Sequence, residues 1–217
     1  MKDNLEILIK KCVENDRVGQ QKIYQLFAPV LYGLCLKYMK NEDDAKDVFQ
    51  EAFVIAYQKM YQFKFEGSFE GWLKRIFIYK CIETLKKNRK NLFLLDGYDD
   101  PIDESFEEEE IDKLSLSEEK LLEYIQDLPD QYRLVFNLYV FEKLKHREIS
   151  VMLNITESTS KSNLNRAKTH LKRRILAAFN SKTACPVVPE PAKKSKIVEF
   201  GFDVISSKYL ISFTGFG

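Results

Sequence analysis

The stretch KHREISVMLNITESTSKSNLNRAKTHLKRRI, Lys145 to Ile175, decides the fold of the C-terminal half of the chain, because it reads as two short helices around a tight corner. Ile149, Met152 and Leu153 put an apolar stripe on the first helix, and Asn154-Ile155 makes the corner. Thr156 is a natural N-cap, whose hydroxyl can accept a free backbone N–H of the second helix. That second helix has few apolar positions, Leu164, Ala167 and Leu171, at a spacing that gives a narrow buried stripe. Its remaining faces carry Thr159, Lys161, Ser162, Asn165, Arg166, Lys168, Lys172, Arg173 and Arg174, small hydrogen-bonding groups followed by cations. Such a helix can enter a major groove with its N-terminal part on base edges while its cations bind phosphate. A solvated amphipathic helix shows the same basic face, and the segment alone leaves both readings open.

Outward from this segment, composition sets bounds. A chain of 217 residues with 45% hydrophobic content can bury one good-sized core or two small ones. The apolar periodicity breaks off in the middle, which favours two small helical domains. The net charge of +1 hides strong segregation. Trp72 to Lys90 carries Lys74, Arg75, Lys80, Lys86, Lys87, Arg89 and Lys90 against Glu83 alone; Asp96 to Asp112 is then acidic with no intervening cation, before the basic helix pair. A basic, acidic, basic order speaks about partners and self-contact, not about fold. Cys12, Cys35, Cys81 and Cys185 show no paired spacing, and only His146 and His170 are present to help them, which argues against a metal site. Unpaired thiols point to a reducing compartment, and Cys35 and Cys81 read as small core residues. The N-terminal MKDNLEILIKKCVEND lacks a signal-peptide pattern and no run reaches transmembrane length, so a cytoplasmic location is expected. No P-loop, Cys/His arrangement or paired carboxylates in an apolar setting appears; no enzyme activity and no cofactor are expected.

In the N-terminal half, Leu5 to Gln20 reads as a first amphipathic helix, and Tyr24 to Met39 as a second with a wide buried face. Pro29 falls within the second, so that helix is either kinked there or begins there. Asn41 to Asp44 caps a third helix that runs to about Met60, with Val48, Phe49, Ala52, Phe53 and Ala56 buried and Asp44, Asp47, Gln50 and Glu51 outward. Tyr61 to Trp72, YQFKFEGSFEGW, reads as a loop with stacking groups, and Leu73 to Leu85 resumes helical periodicity. Aromatic rings beside cations suit single-stranded nucleic acid, although each ring taken singly also suits a core.

Three segments together, AKDVFQEAFVIAYQKM (Ala45 to Met60), GSFEGWLKRIFIYKCIETLKK (Gly67 to Lys87) and LPDQYRLVFNLYVFEKLKHREISVMLNITESTSKSNLNRAKTHLKRRI (Leu128 to Ile175), resemble a bacterial RNA polymerase sigma factor of the extracytoplasmic-function (ECF) type, sigma-70 family. The match extends to about Ala178, and the ESTSKS form of the reading helix resembles sigma factors from Bacteroidetes. The resemblance implies an all-α fold: a region 2-like helical domain over residues 1–92, an acidic linker over 93–114, and a region 4-like helix-turn-helix domain over 115–180. The tail, 181–217, is Pro- and Lys-rich and then β-prone; the family does not explain it.

The resemblance also implies roles. Asp47, Gln50 and Glu51 fall on the face that docks on the beta-prime clamp of core RNA polymerase, and the beta flap is a second expected contact. Phe65, Ser68, Phe69, Trp72, Arg75, Tyr79 and Lys80 fall on the unit that opens the minus-ten promoter element and captures a flipped base. Tyr79 stands where the family usually has Asn after R-I-x-x, a departure in polarity and shape. Lys161, Ser162 and Asn165 align with positions that reach into the minus-thirty-five element, with Thr159, Arg166, Lys168 and Arg173 placed for phosphate. Leu128-Pro129 resembles the junction between two helices of the second domain, with Pro at the first helical position and Tyr132, Val135, Phe136 and Tyr139 building its core. The expected partners are core polymerase, promoter DNA and an anti-sigma factor, with no membrane insertion. The alternatives are a dimeric helix-turn-helix regulator and a sigma-like protein that binds polymerase without opening DNA.

Overall fold

The computed structural model describes residues 2–88 and 117–182, and these fall into two separate units. The acidic segment Asp96 to Asp112, Cys185 and the β-prone tail lie outside the described residues. Among the described residues every regular element is helical, so the expected all-α class holds.

The first unit comprises α1 (Lys2–Val13), α2 (Arg17–Tyr38), α3 (Glu42–Gln58), a 3-10 turn (Met60–Gln62) and α4 (Phe69–Asn88). The expected first helix, Leu5 to Gln20, is in fact two: the chain turns at Asn15, which is left-handed at φ 61°, and Asp16 caps α2 by accepting from Val18 N–H at 2.7 Å and Gly19 N–H at 3.3 Å. A carboxylate aimed at free amides starts a helix wherever the apolar rhythm happens to continue, and here it outweighs that rhythm. The close approach of α1 to α2 depends on Gly19: a Cβ there would lie 2.8 Å from the Cβ of Lys11. Pro29 does not begin a helix; α2 runs through it, with Ile23 through Tyr38 supplying a wide buried face. Asn41 caps α3 as expected, accepting from Asp44 N–H at 2.8 Å, and Glu42, Asp43 and Asp44 place negative charge at the positive end of the helix.

The core of this unit is aromatic. Phe49 and Phe53 of α3 meet Phe77 of α4 edge-to-face at 5.9 and 5.1 Å, and Tyr24 and Tyr32 of α2 pack on the same cluster. Each such ring, fully buried, is worth about 1.5–3 kcal/mol from area alone. Cys12, Cys35 and Cys81 are buried free thiols; burial, with Asp16 nearby, pushes Cys12 up to about 11, and burial pushes Cys35 well up, so neither is a nucleophile.

The second unit comprises α5 (Glu118–Asp127), α6 (Asp130–Val140), α7 (His146–Leu153) and α8 (Glu157–Lys182). Its core joins Tyr124, Ile125, Leu128 and Tyr132 to Ala167, Leu171 and Ile175 along the inner stripe of α8. Pro129 stands one position earlier than expected, at the cap before Asp130, where its fixed φ sets the entry into α6. Tyr132 and Val135 are buried and Phe136 packs against the core, but Tyr139 is 39% exposed and stacks on His146 instead. The residue that ties this corner together is Arg133. It is wholly buried, donates to the carbonyls of Gln126 at 2.7 Å and Leu128 at 2.8 Å, and pairs with Asp130. A buried guanidinium with its donors engaged is specific for one geometry, since removing a partner strands charge in the interior.

Candidate nucleic-acid interface

α7 and α8 form a helix-turn-helix whose corner is made by Asn154 at φ 59°, ψ 50°, the left-handed conformation Asn tolerates better than most residues. Thr156 accepts from Thr159 N–H at 3.0 Å, as the sequence predicts for the cap of the second helix. α8 then presents Lys161, Ser162, Asn165 and Lys168 to solvent, with Arg166 half-buried beside them. No side-chain partner is recorded for Lys161, Ser162, Arg166 or Lys168 among the described residues, so their donors face outward uncommitted. Thr159 is different: its hydroxyl is already bonded to Thr156 at 2.8 Å. Arg173 lies 3.5 Å from the Nδ1 of His170, and Arg174 pairs with Asp127 of α5, which anchors the far end of the helix.

Ser160 and Asn163 also lie on the inner side of α8, both buried, so its hidden stripe is less apolar than sequence alone indicates. Ser160 Oγ is 2.9 Å from Nδ1 of His146, and His146 lines a cleft with Lys161, Ser162, Leu164, Asn165, Arg166 and Lys168. Sequence reasoning missed His146; only the fold brings it to Ser160, fourteen residues away.

In the first unit, the loop before α4 is a ring cluster. Phe63 contacts Phe65 at 5.2 Å, Phe69 at 5.1 Å and Trp72 at 5.7 Å; Phe69 stacks on Trp72 at 5.7 Å and meets Phe27 of α2 at 5.4 Å. The expected loop, Tyr61 to Trp72, is shorter than read: α4 starts at Phe69, because the Ser68 hydroxyl accepts from Gly71 N–H at 3.2 Å. Phe65 is left-handed at φ 59° and 45% exposed, whereas Phe69 is 4% exposed. Arg75 and Tyr79 are exposed further along α4, about one turn apart. Lys80 is not open to solvent in the same way: it bridges to Glu51 of α3 at 2.6 Å and to Glu83 at 3.7 Å. Those hydrogen bonds and charges hold the Glu51 carboxyl below its ordinary range and raise Lys80. On the outer face of α3, Asp47 and Gln50 are exposed beside Glu51, with Val54 56% exposed one turn on.

Among the described residues no group of His, Cys, Asp and Glu could hold a metal, and no helix is long and apolar enough to cross a membrane.

Comparison with known proteins agrees for both units. Residues 23–91 match the family model described as Sigma-70 region 2, and residues 118–171 match Sigma-70, region 4. The ECF RNA polymerase sigma factor SigW of Bacillus subtilis (strain 168) is 29% identical over 185 residues, which cover 79% of this chain and 98% of that protein. The ECF RNA polymerase sigma factor SigM of the same strain is 28% identical over 151 residues, covering 70% of this chain and 91% of that protein. The sigma factor RpoE of Bartonella quintana, solved in complex with the anti-sigma factor NepR, is 18% identical with a TM-score of 0.47, covering 72% of this chain and 96% of that one. Two family models in the order of region 2 then region 4, spanning together more than half of the sequence, and relatives aligned over most of their own length make this chain a member of the sigma-70 family, an ECF-type RNA polymerase sigma factor and hence a non-enzymatic factor of transcription initiation.

Proposed function

We propose that this sigma factor binds core RNA polymerase through the α3 face of Asp47, Gln50 and Glu51 on the beta-prime clamp, contacts the beta flap through its second unit, and directs initiation at promoters with a minus-thirty-five and a minus-ten element. The observation that carries the reading is the presence of two chemically different exposed faces, one on each unit. The row Lys161, Ser162 and Asn165 on α8 offers uncommitted donors of the kind that read base edges in a major groove, and Arg166, Lys168 and Arg173 follow as phosphate contacts with Thr159 at the helix start. The loop before α4 offers Phe65 and the first turn of α4 offers Trp72 as rings, with Ser68, Arg75 and Tyr79 around them, which suits unpaired bases. Phe69 and Lys80 serve the same site from behind, one by packing under the rings and the other by tying α4 to α3. The factor works in the cytoplasm, where an anti-sigma factor is its expected regulator, and the ESTSKS turn of α8 points to a Bacteroidetes source.

Run-off transcription with purified core polymerase on an unmelted template and on one with a pre-opened minus-ten segment tests this. Sigma-dependent transcripts from both are expected. Transcripts from the pre-opened template alone would replace the reading by a polymerase-binding protein that does not melt DNA, for which Tyr79 is the residue to examine. Binding to a two-fold symmetric site without polymerase, and transcripts from neither template, would replace it by a dimeric regulator.

A further inference from the structure

His146 is the first residue of α7, yet its ring belongs to three helices at once. It stacks on Tyr139 of α6 with centroids 4.7 Å apart and planes 21° from parallel, and its Nδ1 lies 2.9 Å from Ser160 Oγ of α8. Ser160 is wholly buried, so this hydrogen bond sits under the helix pair and fixes the ring. The second ring nitrogen, Nε2, has no partner among the described residues, and the ring lines the same cleft as Lys161, Ser162, Asn165, Arg166 and Lys168. In a docked helix-turn-helix the first helix crosses the DNA backbone. A fixed imidazole at its start, beside uncommitted cations, therefore faces phosphate.

We propose that His146 is a DNA-backbone contact of this sigma factor, donating from Nε2 to a phosphate oxygen, and that it takes up a proton when duplex DNA binds. The inference rests on the reading of α8 as the minus-thirty-five helix. The hydroxyl of Ser160 makes the device workable. When the ring is neutral, Ser160 can donate to Nδ1 and leave the proton on Nε2; when the ring is charged, Nδ1–H donates to Ser160 Oγ and Nε2–H still points outward. The inner hydrogen bond survives in both states, so protonation does not unfasten the helices. In the free protein, burial and Lys161 of α8 hold the imidazole below its ordinary range, against the opposing pull of Glu157 of α8. Tyr139, the α6 group that faces it, contributes its stacked ring. A phosphate beside the ring reverses that balance and makes the bond charge-assisted. The sign follows: the bound-state pKa exceeds the free-state one, so the added affinity is complete below the free-state value and disappears as pH rises through the bound-state value.

A phosphate contact is indifferent to sequence, so the probe is short duplex DNA of random sequence, titrated with the full chain by fluorescence anisotropy between about pH 6 and about pH 8. Affinity should rise about three- to tenfold toward the acid end. His146→Gln, which cannot take up a proton, should give a flat profile, and His146→Ala should bind more weakly across the range. A wild-type slope retained in His146→Gln overturns the proposal. Proton NMR of the unaltered chain gives a second reading that does not depend on a variant keeping its fold: with only two histidines present, the imidazole midpoint of His146 should rise on adding duplex, and an unmoved midpoint overturns the proposal equally. Arg166→Ala separates the two levels. If it leaves random-duplex affinity unchanged, the reading of α8 itself fails; if it weakens binding while His146 shows no proton linkage, only the present inference does.

Discussion

The two units read nucleic acid, in the function proposed for them, with opposite relations between site and core. In the first, the rings at the surface continue inward: Phe65 touches Phe63, Phe63 touches Phe69, and Phe69 reaches Phe27 of α2. In the second, the reading side chains stand on the outer faces of α8, while a separate stripe of Ala167, Leu171 and Ile175 holds the helix down. A stacking surface for bases is made of the same material as a protein interior, so it grows out of one. A hydrogen-bonding surface must be kept apart from the interior, because its donors have to remain unpaired until DNA arrives. Substitutions should therefore mix stability with function in the first unit and separate them in the second.

The sharpest way to break that contrast is Phe69→Ala. Removal of a nearly buried ring at the root of the cluster should destabilise the first unit by about 3–5 kcal/mol, read by thermal or denaturant unfolding. Phe65→Ala, at a half-exposed ring, should cost much less stability; equal losses at the two positions would mean that the loop is core throughout. Next in size are Lys161→Ala and Asn165→Ala. Selection on a promoter library should show altered base preference worth about 1–3 kcal/mol per lost pair, with the melting temperature of the second unit unmoved. A large fall in melting temperature would erase the distinction between the units. Thr156→Ala is the intermediate case, since it removes a cap and not a reading group: about 1 kcal/mol of stability should go, with base preference intact. The smallest effect belongs to Lys80→Gln, which breaks a pair with the 62% exposed Glu51; unfolding should register less than about 1 kcal/mol, and a loss several times larger would make the α3–α4 tie a structural keystone of the first unit.

How far the sequence carried this picture depended on whether a residue's role was local. The caps at Asn41 and Thr156 and the Asn154 corner were legible because each is decided within four residues. The break at Asn15 and Asp16 was just as local, but the apolar rhythm of α1 runs on toward Val18 and hid it. The resemblance implies a core position for Tyr139 beside Tyr132 and Val135, whereas the ring is 39% exposed and stacks on His146. Arg133 shows the converse: a charge on an amphipathic helix reads as solvent-facing, and the carbonyls that make its burial tolerable belong to the turn before it. His146 was invisible because its meaning lies in Ser160 and Tyr139, which no helical period connects to it.

The loop before α4 has two left-handed residues, Phe65 at φ 59° and Gly67 at φ 87°, on either side of Glu66. Nothing lies within 4 Å of where a Cβ of Gly67 would be, so glycine is needed there for the backbone and not for room. Phe65 has no such exemption; its ring packs on Phe63 at 5.2 Å. A left-handed Phe close to a left-handed Gly restricts the backbone shapes open to the loop. In the function proposed for this loop, a base that leaves the duplex then brings most of the ordering cost with it, and differences between promoter sequences fall on how long they stay bound more than on how often they arrive.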